Sequence, residues 1–294
     1  MKHIPVLLEE TISVLALQSE STVIDCTLGG GGHARAILEQ IGPRGTYVGI
    51  DADPRVIEMA DELRKSVATV HLIKDNFRSI KRIIEDLGVK PDAILADLGW
   101  RSDQFETGGK GFSFNSDDPL LMTFGDPTDH VFTASDIVNE WEESSISDVL
   151  YGYGEEKRAR RIARAIVAAR ARGPIKTARE LSDIVVAATP AFARHGKIHP
   201  ATRTFQAIRI AVNDELGALT DLLRDGFEIL GPQGRLAIIS FHSLEDRLVK
   251  RFMKEQIDEG KALRLIKKPI TASADEREEN PRSRSAKLRV IEKI

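Results

Sequence analysis

Three aspartates follow short apolar runs in the first hundred residues, and a run of glycines follows the first of them. Asp25 precedes Gly29-Gly30-Gly31-Gly32, while Asp51 and Asp97 each end a later apolar run. Glycines let a backbone approach a ligand closely, and a carboxylate at the end of a second strand can bind both hydroxyls of a ribose. This pattern is typical of a site for a nucleotide-like cofactor.

The glycine spacing alone does not identify that cofactor. Gly29-x-Gly31-x-x-Ala34 also satisfies the dinucleotide fingerprint, with Asp51 at the distance that a nicotinamide cofactor requires. Asp25 favours S-adenosylmethionine, because an acid four residues before Gly29 can face a cationic amino-acid moiety but would repel a pyrophosphate. We therefore favour a methyltransferase over a nicotinamide-dependent oxidoreductase, with a ligand-free tight turn as the third interpretation.

The elements that must position these residues alternate between strand and helix. The pattern predicts strands at 22–26, 46–51, 70–73, 93–97 and 235–241, and helices at 33–40, 54–65, 78–87 and 244–256. Such alternation is typical of a parallel sheet with crossover helices.

The middle of the chain interrupts this alternation. Residues 100–130 are loop-like, 133–195 are helical without a convincing strand, and helix signals continue over 204–230. Two further strands are possible at 262–267 and 287–293, with a polar loop between them. We predict an α/β fold with a Rossmann-like methyltransferase domain at 1–104 and 204–294, interrupted by a loop-plus-helical insertion at 105–203.

The composition restricts the class of protein. The 294 residues are 41% hydrophobic and 30% charged, which fits a packed globular chain. The single cysteine, Cys26, excludes an intramolecular disulfide and a thiolate metal cage. We find neither a signal peptide nor an apolar run long enough for a membrane span, so we expect a cytoplasmic protein without a membrane partner.

The net charge of −3 conceals two basic segments. Residues 157–172 carry seven bases and no acid, with Arg161 and Arg164 on one helical stripe, and a second cluster contains Arg282 and Arg284. Both segments suit phosphate oxygens. The alternatives are a solvated surface helix for the first segment and a mobile tail for the second.

Several longer motifs resemble a single family. They occur in the family's order from residue 3 to about residue 290, and they are His3-Ile4-Pro5-Val6-Leu7-Leu8-Glu9-Glu10, Gly29 to His33, Gly111-Phe112-Ser113-Phe114, Tyr153-Gly154-Glu155-Glu156, His199 to Ala207, Val212 to Leu216, Ile239 to Arg247 and Asn280 to Ser285. The chain resembles the bacterial small-subunit rRNA cytosine-N4 methyltransferases, the MraW or RsmH family.

The resemblance implies a cofactor, a substrate and a set of site residues. The cofactor is S-adenosylmethionine and the substrate is the N4 amine of a decoding-centre cytidine within an assembled small subunit, so we expect no DNA partner. The implied cofactor contacts are Gly31, Gly32, His33, Asp51, Phe77, Asp97 and Gln104. The expected RNA contacts, from the basic segments and these motifs, are Arg161, Arg164, Arg203, His242, Ser243, Arg282 and Arg284.

Asp97 is our candidate catalytic residue, since it ends the fourth strand beside the expected methyl position. We expect it, or the backbone just after it, to orient the amine and receive its proton. A hydrolase triad around His242 is disfavoured because no nucleophile elbow is present. A metal pair at His195 and His199 is disfavoured because Gly196 and Pro200 interrupt a helix, so we predict no metal centre.

The chain departs from the family near the expected active site. Trp100-Arg101 follows Asp97-Leu98-Gly99 where the family has valine and serine, and Leu121 and Thr123 replace an acid and an arginine. These changes leave cofactor binding intact and bring into question turnover or the choice of nucleotide. A non-catalytic ribosome-assembly factor of the same fold is therefore the second functional hypothesis.

Overall fold

The computed structural model describes residues 4–99, 109–194 and 198–294. It contains two compact units, one formed by residues 1–99 with 216–294 and the other by residues 100–215. No helix of the described ranges is both long and apolar enough to cross a membrane.

The first unit is built on one seven-stranded sheet in the order β3-β2-β1-β4-β5-β7-β6. Strands β1 to β5 run parallel, whereas β7 is antiparallel to both β5 and β6. The strands are β1 Thr22–Asp25, β2 Thr46–Asp51, β3 Thr69–Lys74, β4 Ala93–Asp97, β5 Arg235–Ser240, β6 Ala262–Arg264 and β7 Lys287–Lys293. The predicted α/β class and its five parallel strands are confirmed.

Helices cover both faces of this sheet, which is why its central strands are apolar on both sides. One buried cluster contains Ile37 and Leu95, and the other, on alternate strand positions, contains Ile24 and Ile94. The helices of this part of the chain are α1 Leu8–Leu15, α2 Gly32–Ile41, α3 Pro54–Met59, α4 Ile80–Leu87, α11 Glu215–Ile229, α12 Ser243–Asp258 and α13 Ala274–Glu279, with 3₁₀ helices at Asp61–Lys65, Phe77–Ser79 and Pro281–Ser285.

The second unit is helical and has its own core, which includes Ile146, Ile162 and Phe205. Its helices are α5 Ala134–Glu140, α6 Glu143–Gly154, α7 Ala159–Arg170, α8 Ala178–Ala188, α9 Ala191–Arg194 and α10 Thr202–Asn213, with a 3₁₀ helix at Pro127–Asp129. The sequence predicts that residues 204–213, most of α10, belong to the domain that contains the sheet. In the structure α10 lies in the helical unit, because it packs along α6.

The helix expected over 204–230 is two helices. Asp214 adopts a left-handed backbone with φ of 45° and ends α10. Asn213 stabilises this end, since its side chain binds the carbonyl oxygens of Met122 and Arg209 at 2.7 and 2.8 Å. The contact with Met122 joins residues 91 positions apart, so helix periodicity alone does not indicate the break.

The strand order places a crevice at the carboxyl end of the sheet. The chain runs outward from β1 through β2 to β3 and then returns to β4 on the other side of β1. Open α/β sheets bind ligands at such a switch point, outside the carboxyl ends of the strands. Asp25, Asp51 and Asp97 are the last residues of β1, β2 and β4.

Candidate active site

The glycine run forms the turn from β1 into α2. Gly31 is the N-cap of α2 with φ of 71°, a left-handed conformation that glycine adopts without steric strain. A Cβ atom on Gly32 would lie 2.8 Å from Cγ of Pro5. The Arg35 side chain binds the carbonyl oxygens of Gly30 and Gly31 at 3.1 and 3.2 Å. The loop is therefore held in one conformation at a helix N-terminus, where first-turn N–H groups have no intrahelical partner.

Asp51 joins this loop to the end of β2. Its Oδ2 atom accepts a 3.0 Å hydrogen bond from the Gly29 amide, and its Oδ1 atom accepts one of 2.9 Å from Asp53. These two bonds fix the orientation of the Asp51 carboxylate, a group that accepts hydrogen bonds from hydroxyls. The structure thus places Asp51 beside the glycine loop, as its proposed role requires.

Asp25 supports the loop from inside the protein. Its side chain is buried, and it accepts hydrogen bonds from the Tyr47 hydroxyl at 2.8 Å and the Thr27 amide at 3.1 Å. Desolvation by burial is the main reason that the pKa of Asp25 rises to about 6, opposed by these hydrogen bonds and increased by the charge of Asp51. The sequence suggested that Asp25 faces a cationic group, but its carboxyl is enclosed under the loop.

Asp97 lies at the end of β4 and is fixed through its backbone. Its amide donates a 2.7 Å hydrogen bond to Oγ1 of Thr27, a residue that sequence analysis did not single out. Its carboxyl oxygen Oδ1 is buried and has no hydrogen-bond partner among the described residues. A buried oxygen without a partner among the described residues is suited to a hydrogen bond with a ligand.

The surroundings of Asp97 favour its protonated form. Burial raises the pKa of this carboxyl well above its usual range, the charges of Asp25 and Glu245 raise it further, and the charge of Arg282 lowers it. Arg282, expected as an RNA contact, is therefore electrostatically coupled to Asp97. A raised pKa makes the ionised form of this carboxyl a stronger base than an ordinary aspartate.

His33, in the first turn of α2, is buried next to Asp97. Its Nε2 atom lies 3.1 Å from the carbonyl oxygen of Val6, and its Nδ1 atom lies 3.8 Å from Oδ2 of Asp97. Because a carbonyl only accepts hydrogen bonds, Nε2 carries the hydrogen and Nδ1 faces the carboxyl. The His33 side chain thus links α2 with the N-terminal segment, in addition to any cofactor contact of its backbone.

The other expected cofactor residues have different positions. Phe77 begins the 3₁₀ helix after β3 and is half-buried against the core on one sheet face. Gln104, Trp100 and Arg101 lie outside the described residues, as does His195 of the disfavoured metal pair. The ring of His199 instead stacks on Phe114, with the ring centroids 4.3 Å apart.

His242 and Glu245 form the start of α12, directly after β5. His242 is the N-cap and Glu245 completes a capping box, its Oε2 atom accepting hydrogen bonds from the amides of Phe241 and His242 at 2.8 and 3.2 Å. The His242 side chain is mostly enclosed, whereas Ser243 is exposed. Glu245 occupies the N3 position of a capping box, but histidine is not a usual N-cap residue, so the sequence alone does not indicate this cap. The motif therefore shapes the turn in addition to any RNA contact.

The basic residues expected to bind RNA differ in their exposure and contacts. Arg161 and Arg164 are exposed on α7, opposite the buried Ile162 and Ile166. Arg203 instead donates a 3.1 Å hydrogen bond to the carbonyl oxygen of Glu155, the left-handed C-cap of α6. Arg284 is exposed and Arg282 half-buried in the 3₁₀ helix Pro281–Ser285.

The atypical residues of the loop before α5 are ordered. Thr123 is buried, and its hydroxyl has no hydrogen-bond partner among the described residues. The loop around it is held by Asn213, whose Oδ1 atom accepts a 2.6 Å hydrogen bond from the Phe124 amide, and by Lys110, which binds the Thr123 carbonyl oxygen at 3.2 Å. The loop therefore packs within the helical unit despite the exchanged residues.

These features fit an adenosyl cofactor better than a pyrophosphate-containing one. A glycine turn at a helix N-terminus, a ribose-type carboxylate on Asp51 and a buried acceptor on Asp97 surround the same end of the sheet. The antiparallel β7 beside β5 also departs from the six-stranded order of the dinucleotide-binding fold. The fold and the site together define a methyltransferase of the S-adenosylmethionine-dependent class.

Comparison with known proteins identifies the family. The model of the MraW methylase family matches residues 1–294, so the chain belongs to this family, whose cofactor is S-adenosylmethionine. The chain is 45% identical to "Ribosomal RNA small subunit methyltransferase H" of Heliobacterium mobile, over 99% of both chains. It is 46% identical to the protein of the same name from Symbiobacterium thermophilum, over 99% of this chain and 96% of that one.

Among solved structures, the chain is similar to Aeropyrum pernix fibrillarin in complex with S-adenosyl-L-methionine. The two are 12% identical with a TM-score of 0.42, over 96% of this chain and 73% of that one.

Proposed function

We propose that the protein transfers a methyl group from S-adenosylmethionine to the N4 amine of a cytidine in the decoding centre of small-subunit rRNA, within an assembled small subunit. The relatives named as small-subunit rRNA methyltransferases support the substrate class. The observation that carries the chemistry is the Asp97 carboxyl, with one buried oxygen lacking a partner among the described residues and a raised pKa.

The cofactor would be held by the turn at Gly31, Gly32 and His33, by Asp51 at the ribose and by Phe77 against the adenine. S-adenosylmethionine, when bound, supplies an electrophilic methyl group on a sulfonium. Asp51 suits this task because backbone amides fix both its oxygens, and a carboxylate accepts hydrogen bonds from hydroxyls.

Asp97 would orient the amine and take its proton. The N4 lone pair is delocalised into the cytosine ring, so a hydrogen bond from the amine to a carboxylate favours a pyramidal nitrogen that can attack. Bound S-adenosylmethionine would supply the methyl group to N4, and ionised Asp97 would take up the proton that the amine loses. Positioned proton transfer of this kind contributes roughly 10²- to 10⁴-fold.

The RNA would be bound by the exposed basic residues. Arg161 and Arg164 on α7 and Arg284 near the C-terminus suit phosphate oxygens, and Arg282, His242 and Ser243 lie in the turns that follow β5 and α13. Arg203 would contribute through the C-cap that it stabilises. The helical insertion would thus act in substrate recognition.

The test is radiolabelled methyl transfer from S-adenosylmethionine to small subunits from cells that lack the endogenous enzyme, followed by nucleoside mass spectrometry. We expect N4-methylcytidine at one decoding-centre position. The variant Asp97→Asn should lose at least 10²-fold in kcat at saturating cofactor, and full turnover by this variant would refute the role of Asp97. Binding of subunits without transfer by the wild type would instead identify the non-catalytic assembly factor.

A further inference from the structure

A bulge in the sheet edge, between the last pair of the β6–β7 ladder and the bridge at Leu288, creates a small pocket beside β7. Arg264 of β6 pairs with Ile291 of β7, and the next bridge joins Ile270 to Leu288. Residues 265–269 therefore lie opposite residues 289–290 alone, so three extra residues bulge out of the ladder. Hydrogen bonds of 3.0 and 2.9 Å between Ile270 and Leu288 close the bulge, which fixes it against β7. Bulges of this kind are over-represented at sheet edges and at functional sites.

The pocket has an apolar floor. One face of α12 contributes Met253 and Ile257, β7 contributes Val290 and Ile291, and the bulge contributes Ile266. Its volume is about 120 Å³, well below the roughly 300–1,000 Å³ of sites that enclose a whole small molecule. The pocket therefore fits one part of a larger ligand.

The rim of the pocket is basic, with no acidic residue among those that line it. Its six cations are Lys250, Lys254, Arg264, Lys267, Lys268 and Arg289. Two of them are already paired, Lys254 with Asp258 and Arg289 with Asp246 at 2.7 Å. The other four have no acidic partner within the described part of the chain, and all four are exposed. An excess of unpaired positive charge around an apolar floor calls for an anionic ligand with an apolar portion.

We propose that this pocket binds a nucleotide of the rRNA substrate outside the reacting cytidine, with its phosphate at Lys267 and Lys268 and its ribose or base on the apolar floor. An RNA strand offers a repeating anion beside a flat apolar surface, which matches the rim and the floor together. The inference rests on the proposal that small-subunit rRNA is the substrate. It adds a contact on the sheet edge, separate from Arg282 and Arg284.

The test compares two charge-matched double variants of the full chain. Lys267→Gln/Lys268→Gln removes two exposed cations from the bulge, and Lys65→Gln/Lys90→Gln removes two exposed cations elsewhere in the same unit. Binding to unmethylated small subunits is measured at several salt concentrations, together with kcat, KM for subunits and the affinity for S-adenosylhomocysteine.

For the bulge variant we expect an affinity loss on the order of tenfold. The slope of log K against log salt concentration should be shallower by about 0.7 to 0.9, the contribution of one phosphate contact. KM for subunits should rise, while kcat at saturating subunits and the affinity for S-adenosylhomocysteine stay unchanged. The control variant should retain most of its affinity.

Other results would overturn the inference. Equal losses in both variants would mean that only the total charge matters, and no loss in the bulge variant would exclude an RNA contact. A loss confined to binding of phosphatidylglycerol vesicles would assign the pocket to a membrane surface. If the wild type methylated another nucleotide and the bulge variant still bound subunits more weakly, only the proposed function would be refuted. If the wild type failed to bind subunits, the proposed function and this inference would both be refuted.

Discussion

The hydroxyl of Tyr47, on β2, donates a 2.8 Å hydrogen bond to Oδ2 of Asp25, at the end of β1. Both side chains are buried, and burial also raises the pKa of the Tyr47 hydroxyl well above its usual range. The bond therefore joins a neutral phenol to a carboxyl whose pKa is about 6. The acid beneath the glycine loop thus changes its charge within the physiological pH range.

We expect the free energy of unfolding of the cofactor-free protein to fall as the pH rises from about 4 to above 6. The native state retains the Asp25 proton up to about pH 6, whereas the usual pKa is 3.8. The stabilisation is therefore complete below the unfolded pKa and is lost as the pH rises through the folded one. For this fully buried group the loss is about 3 kcal/mol.

Urea unfolding between pH 4 and 8 measures this effect, with Asp25→Asn as the control. Asp97 shifts in the same direction, so the wild-type curve alone contains both contributions. The difference in free energy of unfolding between the wild type and Asp25→Asn should change between pH 4 and 8. As the pH rises, the wild type should lose stability relative to the variant. A difference that is constant with pH would contradict the assignment to Asp25.

The coupling of Arg282 to Asp97 leads to a prediction for the pH dependence of methyl transfer. If ionised Asp97 receives the proton, the rate falls as the pH drops through its pKa. The positive charge of Arg282 lowers this pKa, so Arg282→Gln should move the acidic limb of the kcat profile to higher pH. A variant with a lower rate but an unmoved limb would restrict Arg282 to RNA binding.

Arginines expected to bind RNA should separate into two groups. Arg161→Gln/Arg164→Gln should leave thermal stability unchanged, since both side chains are exposed and the 3.7 Å contact of Arg164 with Glu143 is a surface pair. It should weaken binding to small subunits and reduce its salt dependence by up to about one unit per lost phosphate contact.

Arg203→Ala should instead lower stability by about 1 kcal/mol, because its guanidinium binds the carbonyl oxygen of Glu155. Thermal unfolding and salt-dependent subunit binding, measured on both sets of variants, distinguish the two roles. If Arg203→Ala unfolded at the same temperature as the wild type, the structural role would be refuted and Arg203 would be assigned to RNA binding.

The sheet and its acids could be predicted from the sequence because their signals are local. Short apolar runs that end in Asp25, Asp51 and Asp97 encode both the strand and its functional end. The contact of Thr27 with the Asp97 amide could not be predicted in this way. It joins residues 70 positions apart and depends on the pairing of β1 with β4.

The sequence of α13 contains a local signal for a helix start, but the segment is so polar that a loop is predicted there. Ser273 and Glu276 have the Ser-x-x-Glu spacing of a capping box. The Ser273 hydroxyl accepts a 3.1 Å hydrogen bond from the Glu276 amide. No apolar run follows, so the segment was predicted to be a loop. The Glu276 side chain instead accepts a 2.8 Å hydrogen bond from the amide of Leu7, and this distant contact ties the helix to the N-terminal segment.

Two glycines of α6 should respond oppositely to the same substitution. A Cβ atom on Gly154 would lie 2.6 Å from the carbonyl oxygen of Arg203, which is backbone and has little freedom to move, whereas one on Gly152 would meet nothing within 4 Å. Gly154→Ala should therefore destabilise the protein by about 1–3 kcal/mol through overpacking of α6 against α10. Gly152→Ala should stabilise it by up to about 1 kcal/mol, because alanine has the higher helix propensity. Denaturant unfolding of the two variants tests this, and equal effects would show that the close approach of α10 does not require glycine in the Tyr153-Gly154-Glu155-Glu156 motif.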